Sequence, residues 1–224
     1  MEKQLEEKNT EMGNVITRSE EFIQKNQKAL ISVLVVILVL IVAFFAARKW
    51  YFQPREMRAA DEMFAAEQWF QQGDYEKALN GDDTFSGFLG IIDSYGSTKA
   101  GNLAKYYAGS AYLHMGDYDE AARWLKKYSG KDTFTPALAE MMRADALAEH
   151  EDFAAAAKLY KNAAAMDDNF LTAPAALFKA GLAYLGAGDN QNALASFKKV
   201  KSDYPQSAEY RDIDRYITLA EAAN

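Results

Sequence analysis

The sequence predicts an all-α protein, in which a single N-terminal transmembrane helix precedes a solenoid of about four helix pairs and a C-terminal capping helix. Three observations lead to this fold class. Residues 29–47 contain no charged side chain, a Gly-Asp-type turn recurs four times after residue 57, and small and large apolar residues alternate at helical spacing around each turn. Successive turns lie 43, 35 and 37 residues apart, which is typical of stacked two-helix repeats.

The apolar run over residues 29–47 predicts an uncleaved membrane anchor. As a helix its nineteen residues would cover about 28 Å, close to the thickness of a bilayer's hydrocarbon core. A secretory signal peptide has a shorter apolar core and a small-residue cleavage pattern, which Phe44 and Phe45 interrupt here. The aromatic residues of segment 48–53 suit the membrane interface. A cleaved signal and a buried helix are the alternatives to an anchor.

The leading tail, residues 1–28, carries an apolar stripe among eleven charges. A helix with this stripe would rest on a membrane or a partner, and the simpler alternative is a solvated, partly ordered tail. The stripe consists of Leu5, Met12, Val15, Ile16, Phe22 and Ile23. Close to the anchor, three cations precede it and four follow it, so the positive-inside rule does not decide the topology. They are Arg18, Lys25 and Lys28 on one side and Arg48, Lys49, Arg55 and Arg58 on the other. Because long domains cross a membrane largely regardless of charge, we expect a cytoplasmic tail and a translocated domain.

The composition restricts the classes of partner and of chemistry. The chain carries 25 Lys and Arg residues against 32 Asp and Glu residues, and its net charge of −7 opposes binding to nucleic acid. The absence of cysteine excludes disulfides, thiolate metal sites and a cysteine nucleophile. His114 and His150 precede repeat turns, and the carboxylates near them suit helix caps. We therefore expect no enzyme activity, no metal, no cofactor and no small-molecule substrate.

Each repeat turn combines a residue that ends one helix with a residue that begins the next. Glycine can take the left-handed conformation that ends a helix, and aspartate can accept the free N–H groups at a helix start. The turns lie in segments 72–78, 115–121, 150–156 and 187–193. Glu151 stands where the other three have glycine. Ahead of the first repeat, Pro54 biases Gln53 away from helix, which predicts a bend.

The last repeat carries the clearest pattern. Its characteristic residues are Leu177, Ala180, Gly181, Tyr184, Gly188, Asp189, Ala193, Phe197 and Pro205. This pattern resembles the tetratricopeptide repeat (TPR) family, whose consensus has W, L-G and Y in the first helix, G-D-Y, A and F in the second, and then P. The resemblance covers residues 59–205. Two features depart from it: Arg143 occupies a normally apolar position, and residues 80–87 interrupt the second helix of the first repeat.

The resemblance implies a division of the chain after the anchor. We expect the repeat region over residues 57–205, with repeats at 59–100, 102–136, 137–173 and 174–205. A stack of repeats needs a cover for its last apolar face, and residues 206–224 read as that capping helix. The face expected to pack on the stack consists of Tyr210, Ile213, Tyr216, Ile217 and Ala220.

In the TPR family, the first helix of each repeat lines an inner face that receives an extended peptide or a partner helix. Here the inner face is mostly apolar, with soft methionine and aromatic side chains that suit apolar segments of varied sequence. The residues expected to line this groove are Met63, Phe70, Leu103, Tyr106, Leu113, Met141, Phe178, Leu182 and Leu185. TPR clamps for a terminal carboxylate use Lys, Arg and Asn there, so we expect no such clamp. In a tightly curled stack the same residues would be ordinary core, and the sequence leaves both alternatives open.

A tail, one anchor and a repeat domain of this size together resemble the YfgM-type ancillary subunits of the bacterial Sec translocon. Segment 100–109 is also similar to anchored TPR proteins of Bacteroidetes-like bacteria. The resemblance implies a non-enzymatic inner-membrane scaffold or chaperone cofactor with a periplasmic domain. Its partners would be Sec translocon subunits, a membrane-anchored periplasmic chaperone or emerging polypeptide. The alternative is a structural assembly protein that coordinates envelope or division complexes.

Overall fold

The computed structural model describes residues 2–132, 134–166 and 169–222, with side chains from residue 25 onward. The described residues form helices joined by turns, with no strand and one isolated bridge between Gly81 and Ser86. The chain divides into two compact units, unit 1 (Met1–Pro54) and unit 2 (Arg55–Asn224). The all-α fold class predicted from the sequence is confirmed.

Eleven α-helices follow one another in the described part of the chain. They are α1 (Glu2–Ala47), α2 (Gln53–Gln71), α3 (Tyr75–Asn80), α4 (Phe88–Tyr95), α5 (Lys99–Met115), α6 (Tyr118–Lys127), α7 (Thr135–Glu149), α8 (Phe153–Met166), α9 (Thr172–Gly186), α10 (Asn190–Asp203) and α11 (Ile213–Ala222). A π-helical turn, Arg48–Phe52, and a 3-10 turn, Glu209–Asp212, complete the set.

The apolar run of the sequence lies in α1 with its side chains exposed. Among the described residues, one helical stretch, Lys25–Gln71, is long and apolar enough to cross a membrane, and its most apolar window is unburied. Ser32, the one polar residue of the run, donates its hydroxyl to the carbonyl of Lys28 (2.9 Å) and is satisfied within the helix. The stripe predicted for the tail, from Leu5 to Ile23, lies outside the described side chains.

The backbone around Pro54 departs from the expectation stated above. Gln53 is helical (φ −64°, ψ −46°), so the prediction that Pro54 takes it out of helix is wrong. The N–H of Gln53 donates to the carbonyl of Arg48, five residues earlier, in the π-helical turn. Proline has no N–H to donate to the carbonyl four residues before it, so it breaks the hydrogen-bond pattern of an α-helix. In a π-helical turn the hydrogen bonds join residues five apart, and the α-helical bond is not needed there.

Four helix hairpins, α2–α3, α5–α6, α7–α8 and α9–α10, make up the repeats of unit 2. Their turns contain the left-handed residues Gly73 (φ 79°), Gly116 (φ 79°), Glu151 (φ 59°) and Gly188 (φ 73°). The next residue in each turn is an aspartate whose carboxylate accepts a backbone N–H of the following helix; the four pairs are Asp74 with Lys77, Asp117 with Glu120, Asp152 with Ala155, and Asp189 with Asn192. The predicted turn chemistry is confirmed at all four positions.

The second helix of the first repeat is interrupted where the sequence predicts it. Helix α3 has six residues, and α4 resumes the apolar run after a loop over residues 81–87. A Cβ atom on Gly81 or on Gly87 would lie 2.3 Å from a backbone carbonyl oxygen across this loop. Asp82 closes the loop by accepting two backbone N–H groups. Helix α4 then buries Phe88 and Ile91, so the extended repeat still contributes to the core.

The interior of unit 2 consists of two apolar clusters. The first joins α2 to α5 around Phe88 and Ile91, and the second joins α7 to α11 around Phe197. Glycines allow the helices of a pair to approach closely. A Cβ atom on Gly109 would lie 2.5 Å from Leu125, and one on Gly181 would lie 2.3 Å from the Phe197 ring. The alternation of small and large residues in the sequence reflects this packing of a small residue on one helix against a large residue on the other.

Helix α11 covers the end of the second cluster. Ile213 and Ala220 are buried, and Tyr216 and Ile217 pack against the same cluster. Tyr210 does not share this face and is 38% exposed. The reason is that Tyr210 lies in the 3-10 turn, whose tighter pitch places it at a different angle from the residues of α11.

Candidate functional site

The first helices of the repeats, α2, α5, α7 and α9, carry the nine residues that the sequence assigns to a groove. Side chains three or four residues apart share one face of a helix, which is why these positions form a continuous stripe along each one. Two of the nine are buried, Met63 and Met141, and Leu182 is 39% exposed. The other six are half-buried: Phe70, Leu103, Tyr106, Leu113, Phe178 and Leu185.

In the first half of the stack, the inner face merges with the core. Phe70 contacts Tyr75 and Tyr107 edge to face, with ring centroids 5.3 Å and 5.4 Å apart. Tyr107 in turn stacks on the buried Phe88 at 5.2 Å. His114 stacks on Tyr75, with centroids 4.7 Å apart and planes 3° from parallel. Phe70 is therefore part of an aromatic cluster that fixes α2 against α5.

In the second half, the capping helix covers part of the inner face. Phe178 packs edge to face on Tyr216 of α11 at 4.7 Å and contacts Phe197 at 5.8 Å. Met141 belongs to the same buried cluster, and Leu185 packs against it. Leu182, one turn along α9 from Phe178, retains the largest exposed fraction of the nine residues. The part of the face that a partner can reach without rearrangement is centred on Leu182.

Tyr106 marks a second accessible region, on α5. Its ring contacts Tyr107 at 5.7 Å and Tyr128 at 5.6 Å, and burial raises the pKa of its hydroxyl. Leu103, one turn earlier, lines a cavity of about 480 Å³ together with Asn102 and Tyr128. These residues form an amphipathic wall, apolar in its rings and polar at its rim.

A polar cross-link between repeats interrupts the apolar face. The Tyr160 hydroxyl and the Lys179 ammonium both bind Asp145 Oδ1, the latter at 2.6 Å. Burial, followed by the hydrogen bond to Asp145, raises the pKa of Tyr160. Lys179 also lies 5.7 Å from the centroid of the Tyr160 ring. The cross-link ties α7, α8 and α9 together, so Asp145 is neutralised and does not repel an acidic partner.

The pair formed by Asp145 and Lys179 was not found from the sequence. The spacing between the two residues in the sequence could have indicated the pair. Lys179 follows Asp145 by 34 residues, about one repeat, and so falls on the adjacent helix of the stack. Arg143, the departure in the third repeat, is paired with Glu140 one turn earlier, and only 25% of its side chain is exposed. This pairing makes the guanidinium tolerable at a normally apolar position.

The titratable side chains elsewhere serve turns and surfaces. In the part of the chain that the structure describes, no group of three His, Asp or Glu side chains is placed to hold a metal ion. His150 lies 3.4 Å from Asp119 at the surface. Burial raises the pKa of Glu67 on the inner face, and hydrogen bonds from the backbone of Thr84 and Phe85 lower the pKa of Asp82.

One known protein family matches the second half of the stack. The family model described as tetratricopeptide repeat matches residues 141–208. Residues 141–208 are TPR-like. The matched segment runs from α7 through the end of α10, and it contains the cross-link and the exposed Leu182. No curated protein matches the chain. TPR modules are typically non-catalytic and mediate contacts between proteins.

Proposed function

We propose that the protein is a non-enzymatic, membrane-tethered TPR scaffold or chaperone cofactor. Its domain lies in the periplasm, beside the Sec translocon of a bacterial inner membrane, and receives apolar segments of partner proteins or of emerging polypeptide. The observation that carries this proposal is the pairing of one membrane-length apolar helix with a TPR-like stack whose inner face exposes Leu182. A tether raises the effective concentration of a weakly binding domain near a membrane partner, so a small accessible patch suffices.

The partner chemistry follows from the accessible part of the face. Leu182 offers an exposed apolar contact on the helix that also carries Phe178 and Lys179, and the charge of Lys179 is paired with that of Asp145. An amphipathic helix or an extended apolar segment suits such a surface, because aliphatic and aromatic contacts supply the affinity and the polar rim sets the orientation. The inner face presents no row of basic side chains, so a terminal carboxylate is not the favoured ligand.

Site-specific photo-crosslinking in intact cells tests this proposal. A photoreactive phenylalanine derivative replaces Leu182 or Tyr106 on the inner face, and Ala195, exposed on α10, serves as the matched outer control. We expect the inner positions, and not Ala195, to capture a translocon subunit, a periplasmic chaperone or a nascent chain. Equal capture at all three positions, or capture of none of these partners, would overturn the proposal.

One observation favours a second candidate, a structural assembly protein for envelope or division complexes. Phe70, Phe178 and Met141 are engaged in packing within the stack, which leaves less apolar surface for an unfolded chain than a chaperone needs. This candidate predicts co-purification of one stable complex of fixed stoichiometry. It also predicts that the purified protein does not delay the aggregation of an unfolded substrate.

A further inference from the structure

Unit 2 has two chemically different ends. The turn end contains the four tight turns, at residues 72–74, 116–117, 150–152 and 187–189. The loop end contains the first turns of α2, α5, α7 and α9 and the loops that precede the last three helices. Hydrogen bonds join the first turn of α2 to the residues around the α4–α5 loop: Arg55 donates to the carbonyl of Ser94 (2.6 Å), and the Glu56 carboxylate accepts the N–H groups of Lys99 and Ala100 (2.9 Å and 3.0 Å). The chain enters unit 2 at this loop end.

The loop end exposes large apolar side chains. Phe170 and Leu171, in the loop between α8 and α9, are each 69% exposed, and Met166 and Phe134 are 53% and 40% exposed. At the turn end, Met115 is exposed to 48%. Exposed aromatic and aliphatic residues concentrated on loop tips at one end of a domain indicate a surface that meets something apolar.

The α6–α7 loop at the loop end is locally cationic, whereas the turn end is acidic. The α6–α7 loop and the last turn of α6 carry Lys126, Lys127 and Lys131, and Asp132, the acid among them, already accepts the N–H groups of Phe134 and Thr135. The turn end is acidic, with Asp74, Glu76, Asp117, Asp119, Glu120, Glu149, Glu151, Asp152 and Asp189. The α8–α9 loop contains no base and two acids in its sequence, Asp167 and Asp168, which lie outside the described residues. The cationic surface is therefore centred on the α6–α7 loop.

Chain connectivity limits the distance between the proposed anchor and the first residue of unit 2. Seven residues separate Ala47, the last residue of the apolar run, from Arg55. Even fully extended, the chain between these two residues spans about 28 Å. The acidic turn end lies a full helix length further along each hairpin. A membrane tether therefore joins unit 2 at its loop end.

We propose that the loop end of unit 2 docks on the lipid headgroup layer of the membrane that holds the anchor. Phe170 and Leu171 enter the interface, and the lysines of the α6–α7 loop lie against anionic headgroups. The acidic turn end points into solvent, which fixes the orientation of the inner face relative to the membrane. This inference rests on the proposed membrane anchor, and its test separates the two.

Spin labelling of the full-length protein in lipid nanodiscs tests the docking. The chain has no cysteine, so a single introduced thiol is labelled alone. Labels are placed at Phe170→Cys in the loop end, at Gln191→Cys in the exposed first turn of α10 at the turn end, and at Leu38→Cys in the apolar run. Accessibility to oxygen, which partitions into lipid, is compared with accessibility to a water-soluble nickel chelate.

We expect the labels at residues 38 and 170 to favour oxygen and the label at residue 191 to favour the nickel chelate. If residue 38 is lipid-exposed while residues 170 and 191 are equally accessible to nickel, the docking proposal is wrong and the anchor stands. If residue 38 itself is in water, the anchor fails, and the docking proposal fails with it.

The lysines supply an independent measurement. Nanodiscs of phosphatidylcholine with phosphatidylglycerol are compared with nanodiscs of phosphatidylcholine alone. Lys126→Gln and Lys131→Gln should each lower the ratio of docked to free domain about fivefold in the anionic discs, since each lysine near an anionic surface contributes attraction of that size. Lys158→Gln, an exposed lysine on α8 nearer the turn end, is the matched control and should have no effect. An equal effect of all three substitutions would contradict the proposal that these lysines bind anionic headgroups. The same ratio of docked to free domain in the two kinds of nanodisc would contradict it as well.

Discussion

At the scale of single residues, four turn positions determine where the helices of unit 2 begin and end. Gly73, Gly116 and Gly188 adopt a left-handed conformation at no steric cost, whereas Glu151 takes the same conformation with a side chain. The aspartate after each of them binds the first free N–H groups of the next helix. The four hairpins are therefore local structures, set by two adjacent residues, and this is why they are visible in the sequence.

The Asp189 cap makes stability depend on acid. Hydrogen bonds from the side chain and backbone N–H of Asn192 lower the pKa of Asp189 from its ordinary value of 3.8. A carboxyl whose pKa is lowered by folding stabilises the fold above its ordinary pKa, and this stabilisation is lost as the pH falls through the folded-state pKa. Asp189→Ser keeps a cap acceptor but does not titrate.

We therefore expect the free energy of unfolding to fall less between about pH 7 and about pH 3 in Asp189→Ser than in the unsubstituted protein. Urea unfolding followed by tryptophan fluorescence at the two pH values measures this difference. Asp61→Ser, at an exposed position in α2 away from the turns, is the control. Parallel acid dependence in the Asp189→Ser and unsubstituted proteins would contradict the role assigned to this cap.

At the scale of helices, close approach of the two members of a hairpin depends on small residues facing large ones. Gly181 of α9 faces Phe197 of α10, and Gly109 of α5 faces Leu125 of α6. The contact repeats from hairpin to hairpin with different residues. The two helices of a hairpin in unit 2 are thus held together mainly by side chains of complementary size. The polar cross-link at Asp145 adds a further contact between the third and fourth repeats.

Gly181→Ala should destabilise the protein by about 1–3 kcal/mol, because the added methyl group would lie inside the Phe197 ring contact and force the helices apart. Gly90→Ala in α4, whose nearest neighbour is a serine Cβ atom at 3.2 Å, should be close to neutral. Chemical denaturation gives both values.

Adding Phe197→Leu to Gly181→Ala provides the decisive control. The smaller side chain makes room for the methyl group, so the double variant should be less destabilised than the sum of the two single variants. Simple additivity would show that the close contact does not limit the packing of α9 on α10.

The helices could be predicted from the sequence better than the exposure of the inner face. Periodicity locates the face of a helix on which Phe70 or Phe178 lies, but it does not show what stands opposite. Phe70 meets Tyr107 of α5 and Phe178 meets Tyr216 of α11, so both contacts depend on how separate helices pack together. At Gln53 the local rule for residues before proline failed because a π-helical turn supplied a different hydrogen-bond pattern. The binding role of the nine inner residues stays a prediction.

At the scale of the whole molecule, the capping helix is a component of the interior of the stack. Its Tyr216 contacts Phe178 and Phe197, which belong to different helices of the last repeat. Ile213 and Ala220 are buried on either side of it. Helix α11 therefore joins the last repeat to the end of the chain, and it sets how much of Phe178 remains accessible.

Tyr216→Ala should lower the free energy of unfolding by about 2–4 kcal/mol, since it removes a half-buried ring from two aromatic contacts. It should also increase the fluorescence of a hydrophobic dye, because Phe178 becomes more exposed. Leu219→Ala, at a position on the same helix that is 53% exposed, should change neither quantity appreciably. A loss of stability without any gain in dye binding would show that the inner face closes over the gap.

The division of the interior into two clusters has a consequence for how the protein comes apart. Between the clusters, the buried positions of α6 and α7 are held largely by alanines, including Ala121, Ala137 and Ala146. Small side chains offer few dispersion contacts, so we expect this seam to stabilise the stack less than the two apolar clusters do. In a repeat protein, stability is a sum over neighbours, and a weak seam divides cooperative unfolding into two steps. We then expect one half of unit 2 to open and refold while the other, with its own aromatic core, keeps its shape.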